Sequence, residues 1–336
     1  MDELSAIISS LYRVFLSRDP RLKEVTFWSE RCSDLSLVPK MILDFSKSKE
    51  FIEKNGVVPG HPVGHYYSPV VNPATLDPEK LRADRETRQS IPAVDLNLER
   101  QKTIWQHITA ETPALALHAT KGERFYLENP VYSFGDAVVL CGMINYLRPQ
   151  RIIEIGSGFS SACMLDHIDR KSLNTNITFI EPYPQRLMAL LRETDLDKHK
   201  LIHGNLQDVA LDEFDALQQG DILFIDSTHV MKTGSDVNYE LFEILPRIRD
   251  GVYVHFHDTF WPYEYPIGWT FERGYSWNEL YGLRAFLQYN NRFSIEFFSD
   301  AFFILCREEV ENAPEPARSH FLRSPGGAMW LKKGSE

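Results

Sequence analysis

From about residue 135 onward, short apolar runs alternate with stretches of helical period. RIIEI (151–155), NITFI (176–180), DILFI (221–225), VYVHFH (252–257) and RFSIEFF (292–298) read as strands, with KLIH (200–203) a weaker one. Between them, 136–147, 160–169, 184–193, 211–219, 236–248 and 277–289 carry the helical pattern. Strands separated by helices of this length predict a parallel sheet with right-handed crossovers. FFILC (302–306) competes with AMWLKK (328–333) for the closing strand. Gly326-Gly327 supplies a turn just before the second, which is preferred. The fold class expected is α/β: a Rossmann-like, doubly wound, mostly parallel seven-stranded sheet with an N-terminal helical and loop extension.

That extension has a different texture. Residues 1–55 repeat apolar positions at helical spacing (Leu4, Ile7, Ile8, Leu11, Phe15), with breaks near Asp19-Pro20 and Val38-Pro39. Residues 56–75 are dense in Gly, Pro, Tyr and His and cannot form a long helix. They are either a structured connection or a lid over a site, His65, Tyr66 and Tyr67 then touching substrate. A charged stretch and the helical segment LNLERQKTIWQHITAE follow. The expected division is an N-terminal region over 1–125 and a catalytic domain over 126–336, with a C-terminal excursion at 302–327.

Composition narrows the class. A 336-residue chain, 43% hydrophobic and 25% charged, is a globular protein rather than a disordered or fibrous one. Thirty-six Lys plus Arg against 47 Asp plus Glu leave a net charge of −11, which disfavours nucleic acid and anionic lipid as partners. The cysteines at 32, 141, 163 and 306 show no metal-finger spacing and suit reduced thiols. Asp2 and Glu3 stand where a signal peptide needs positive charge, and no run reaches the ~18–20 apolar residues of a membrane span. The expectation is a cytoplasmic protein without a membrane partner, with the N-terminal helices a surface for a homo-oligomer.

The chemistry gathers at the strand ends. Glu154-Ile-Gly156-Ser157-Gly158 follows the first strand and opens a helix, where glycines admit a ligand and free N–H groups point at it. The third glycine of a dinucleotide fingerprint would fall at Ser161. Glu154 suits an ammonium instead, such as the amino-acid end of S-adenosylmethionine. Glu181, ending the second strand, is placed for both hydroxyls of a ribose. After the third strand, Gln207 and Asp208 can face an adenine edge, although Asp208 equally suits a helix cap. Asp226 and His229 follow the fourth strand, and His257 and Asp258 end the fifth. Ligands in open α/β sheets bind beyond these carboxyl ends. Two carboxylates and an imidazole can hold a divalent cation, Mg²⁺ or Mn²⁺ by the oxygen donors and Mn²⁺, Fe²⁺ or Zn²⁺ by the nitrogen. His229 can also take a proton from a hydroxyl. Trp261, Tyr263, Tyr265 and Trp269 follow in a Pro-broken loop suited to a sugar or an aromatic ring.

From ENPVYSFGDA (128–137) through RIIEIGSGFSS, FIEPYPQRL, GNLQDV and FIDSTHVMKTGSDVN to VHFHDTFWPYEYP, the chain resembles class I S-adenosylmethionine-dependent methyltransferases. The likeness is strongest to the small-molecule O-methyltransferase branch, of macrolide-sugar, catechol and cephalosporin-hydroxylase-related type. The resemblance implies S-adenosylmethionine as cofactor, held by Glu154, Gly156, Ser157, Gly158, Glu181, Gln207, Asp208 and Asp226. It implies catalysis by His229, Asp226 and His257, with Mg²⁺ or Mn²⁺ as an optional metal on Asp226, His257 and Asp258. His65, Tyr67, Trp261 and Tyr265 are the expected substrate contacts. The histidine in the His257-Asp258 pair departs from the acidic or amide pair of metal-dependent members. An iron-dependent hydroxylase-like enzyme on the same fold and a non-catalytic cofactor-binding protein are the alternatives.

Overall fold

The computed structural model describes residues 3–32, 34–56, 60–62 and 64–334. The chain divides into two compact units, Met1–Thr75 and Leu76–Glu336.

In the first unit, α1 (Glu3–Leu16), α2 (Leu22–Arg31), α3 (Val38–Ser46) and α4 (Lys49–Asn55) are amphipathic. Their apolar faces close over Ile8, Tyr12, Trp28, Met41, Phe45 and Phe51. Arg18 ties the elements together through Glu24 (2.9 Å) and Glu50 (2.6 Å). The expected lid loop ends this unit, and residues 57–59 and 63 of it lie outside the described residues.

The second unit is built on one sheet: β1 (Arg151–Ile155), β2 (Asn176–Glu181), β3 (Lys200–His203), β4 (Ile222–Ile225), β5 (Tyr253–Phe256), β6 (Phe293–Phe298) and β7 (Met329–Lys333). Their order is β3-β2-β1-β4-β5-β7-β6. β1 to β5 run parallel, and β7 lies antiparallel between β5 and β6. β4 and β5 are buried at every position, as expected of parallel strands covered on both faces. One face packs a core with Ile152, Phe179 and Phe224, and the other a core with Ile153, Leu223 and Val254.

α5 (Pro78–Thr87) and α6 (Leu98–Ala110) belong to this unit, so it begins well before the expected 126. The reason is packing. α6 lies on β6 and on α7 (Phe134–Leu147), and Arg85 of α5 is bidentate to Asp300, at 2.7 Å for the Nη2 contact. Residues 302–306 fall in the helix Ser299–Leu305 and its end, and the closing strand is β7. The segment 211–219 forms only a 3₁₀ turn at Leu211–Ala216.

Candidate functional site

The order of strands reverses between β1 and β4, and there the carboxyl ends splay to leave a crevice. A cavity of about 1030 Å³ opens at this point. On one side the β1 loop meets α8 (Phe159–Lys171). Gly156 has φ +77°, and a Cβ there would lie 1.8 Å from the Asp226 carbonyl oxygen, so this glycine is what lets the two strand tips touch. Gly156, Ser157, Gly158 and Glu181 line the cavity. Glu181 accepts the Ser157 N–H (2.9 Å) and the Tyr183 N–H (2.7 Å), which aims its carboxylate across the end of the sheet.

Glu154 does not line the cavity, and the sequence-based role for it changes. Its carboxyl is fully buried, one oxygen accepting the Ser160 hydroxyl at 2.6 Å and the other the Ser161 hydroxyl. Burial pushes this carboxyl up to about 8 against those hydroxyl donors, leaving it neutral near pH 7 and no partner for an ammonium. It is a buttress for the loop. Gln207 and Asp208 are exposed and away from the cavity wall. The Gln207 amide donates to the Gly234 carbonyl (2.8 Å), and Asp208 accepts from the Asn205 amide (3.1 Å).

The opposite wall carries the reactive groups. Asp226, His229, His257 and Asp258 all line the cavity. Nε2 of His229 lies 3.3 Å from Asp226 Oδ1 and 3.5 Å from Asp258 Oδ2. Nδ1 donates to Glu279 Oε2 at 2.8 Å, and the Trp277 ring sits 4.5 Å from the imidazole. His229 and Glu279 are 4% and 2% exposed. His229 and Asp258 both adopt left-handed backbone, φ +60° and +54°, a conformation costing ~1–3 kcal/mol that the surroundings must impose. The Asn278 and Glu279 N–H groups both donate to the His229 carbonyl, and Gly327 packs on the Asp258 Cα.

The converging donors are therefore Asp226, His229 and Asp258, whose ligand atoms all lie within 4.8 Å of one another. His257, expected as a metal ligand, stands one step outside: its Nε2 is 3.7 Å from Asp258 Oδ1 and its ring packs on Tyr132 at 5.1 Å. Burial works against charge on His229, but the carboxylates of Asp226 and Glu279 outweigh it and hold the imidazole protonated well above its usual range. Burial likewise raises Asp226, but the imidazoles of His257 and His229 and the Arg186 guanidinium outweigh it and keep this carboxylate ionised.

Trp261 and Tyr265 line the cavity as expected, beside Trp269, Tyr275 and Trp277. His65 and Tyr67 lie in the first unit, where the His61 and His65 rings stack at 4.6 Å and Tyr67 packs beside them. Sequence reasoning passed over Glu279 and Asp136. Asp136 accepts the Gly327 N–H (2.9 Å), and burial pushes it up to about 6. Glu279 opens a helix, where an acid is unremarkable, and nothing in the chain ties it to His229 fifty residues earlier.

Residues 153–259, from within β1 to just past β5, match the family model of a methyltransferase domain. An uncharacterized protein of Archaeoglobus fulgidus is 32% identical over 173 residues, spanning 47% of this chain and 74% of that protein. Among solved structures, a putative caffeoyl-CoA O-methyltransferase from Staphylococcus aureus is similar at 16% identity and a TM-score of 0.40, over 61% of this chain and 86% of that one. The O-methyltransferase TomG from Streptomyces achromogenes, solved with S-adenosylmethionine, is similar at 13% identity and a TM-score of 0.37, over 76% and 95%. The matched methyltransferase domain carries residues of both walls of the cavity.

Proposed function

We propose that the protein methylates a hydroxyl group of a small molecule, with S-adenosylmethionine as donor and His229 as the proton acceptor. The observation that carries this reading is the sharing of one cavity by the glycine loop with Glu181 and by the Asp226–His229–Asp258 group. At about 1030 Å³ it has room for a nucleoside cofactor and an acceptor side by side.

S-adenosylmethionine, when bound, supplies a methyl group already activated on a sulfonium, so the protein's task is alignment, shielding and one proton. Glu181, fixed by two backbone N–H groups, keeps acceptor lone pairs for ribose hydroxyls. Asp226 and Asp258 present negative charge beside the reacting centre. Trp261, Tyr265 and Trp277 wall off water and give a flat acceptor a surface. Nε2 of His229 would take the proton from an acceptor hydroxyl placed against Asp226 and Asp258. His229 must first shed the proton its carboxylates hold on it, so methyl transfer through this base rises with pH through a value well above the ordinary imidazole pKa.

Calorimetric titration of the full chain with S-adenosylmethionine, and separately with NAD, tests the reading, each with EDTA and with Mg²⁺ or Mn²⁺. Micromolar binding of S-adenosylmethionine alone is expected. No binding under any metal condition ends the proposal.

No helix among the described residues is long and apolar enough to cross a membrane.

A further inference from the structure

We infer that Arg85 is a positioning residue for Trp261, and that its ion pair with Asp300 latches α5 as a hinged cover over the aromatic end of the cavity. The inference rests on the methyl-transfer reading only for what passes beneath the cover.

α5 reads PEKLRADRET and buries none of its ten residues. It keeps helical form by local means. The Asp77 side chain accepts the Glu79 and Lys80 N–H groups at 3.0 and 3.2 Å, and Arg88 pairs with Asp84 at 2.7 Å. Its neighbour α6 instead buries Ile104, Trp105 and Ile108 in the core. A polar helix this short is marginal in water and gains little from apolar packing, so a specific bond has to hold it down. Leu81 and Arg85, one turn apart, form its inward face, and both line the cavity.

That bond has three parts. Arg85 reaches both oxygens of Asp300, at 2.7 Å from Nη2 to Oδ1, and its Nη1 also donates to the Trp261 carbonyl. The same Asp300 accepts the Trp261 N–H at 2.8 Å. Asp300 and Trp261 are 2% and 0% exposed, whereas the Arg85 side chain keeps 36% of its surface. A buried carboxylate is thus met by a cation arriving from the rim, and loses its partner whenever α5 lifts. One contact fixes the helix to the body and, through both ends of a single residue's backbone, sets the indole of Trp261 on the aromatic wall. After exposed Gln89 and Ser90 the chain enters the core at Ile91, which puts the pivot at 88–90. Open, the cover admits an acceptor. Closed, it excludes water and returns Trp261 to its place.

Hydrogen–deuterium exchange of the full chain, read by mass spectrometry, tests this without any ligand. An α5 released from its latch frays, so its amides report the opening. Arg85→Gln is expected to speed exchange over 78–88 by roughly 10–100-fold, the loss of a charge-assisted bond. Exchange at Trp261 should rise with it, while α6 and β4 stay within about twofold. Arg85→Lys keeps the charge but not the fork, and should fall between. In the unsubstituted protein, about 1 M sodium chloride should speed exchange over 78–88 and not over α6, because a rim-exposed pair is screened. That arm decides should a variant fail to fold. Exchange over 78–88 unmoved by Arg85→Gln or by salt, or α5 opening only together with α6, overturns the inference. A rise over 78–88 that leaves Trp261 unmoved overturns the positioning role. S-adenosylmethionine titrated into the same samples separates the failures. A cover that opens in a chain that binds no cofactor sinks the methyl-transfer reading alone, and cofactor bound beneath an immovable α5 sinks this inference alone.

Discussion

Glu154 and Glu279 are both sealed from solvent, one beneath the glycine loop and one behind His229, at 0% and 2% exposure. Their partners differ. Glu154 faces two serine hydroxyls, neutral donors that satisfy its oxygens without cancelling a charge, and burial leaves it protonated. Burial pushes the Glu279 carboxyl up too, but it faces an imidazole, which partly offsets that push. Beneath the glycine loop the buried carboxyl therefore holds shape without holding charge, while the β4–β5 side gathers its carboxylates around an imidazole. A buried carboxyl tells little about function until its partner is known.

Replacing the histidine should separate the two sides most sharply. His229→Gln is expected to lower methyl transfer by about 10²–10⁴-fold, measured as S-adenosylhomocysteine release. Cofactor affinity should stay within roughly threefold, since Glu181 and the glycine loop are untouched. An equal loss of binding and turnover would mean that the two walls are not separable.

Next in size is Glu181→Ala, which removes an ionised acceptor from the cofactor side. Charge-assisted hydrogen bonds contribute about 1.5–3 kcal/mol, so S-adenosylmethionine affinity should fall by roughly 10–100-fold in calorimetry.

Glu154 makes a prediction about stability. Its carboxyl titrates at about 8 in the folded chain and near the ordinary carboxylate value when unfolded. Between those values the unfolded chain binds fewer protons, so unfolding free energy falls as pH rises, with a slope approaching ~1.4 kcal/mol per pH unit from this group. Urea unfolding of Glu154→Gln should lack that contribution between pH 5 and 8. An identical pH profile in the variant would mean that Glu154 is ionised after all.

The smallest effect belongs to Gln207→Ala. The side chain is exposed and turned to the Gly234 carbonyl, so cofactor affinity should change less than about twofold.

The strand ladder was readable because parallel strands covered on both faces appear as unbroken apolar runs, as in RIIEI and DILFI. FFILC was ambiguous for the same reason: an apolar run of five is compatible with a buried helix, and the chain there is a helix. At the site, Asp226, His229 and Asp258 were legible from their place just past strand ends. Their grouping was not, because it depends on backbone turning left-handed at His229 and Asp258, which brings His229 rather than His257 between the carboxylates. The same limit applies to Gln207 and Asp208, whose residue types fit an adenine edge but whose turn directs them elsewhere. The second compact unit takes in α5 and α6 from Leu76 onward, and helix packing across distant segments of this kind leaves no local mark in the sequence.

β7 has a consequence for how the protein is made. Until residues 329–333 have left the ribosome, β5 has one neighbour, β4, and β6 has none. The strand that leads into His257 and Asp258 is then a sheet edge, open to pairing with other chains. The Gly326-Gly327 turn that packs on Asp136 and Asp258 lies just ahead of β7 in the chain. The wall is thus complete only once β7 has paired, and a nascent chain stalled before Met329 would have its glycine loop and Glu181 in hand but no partner strand behind Asp258.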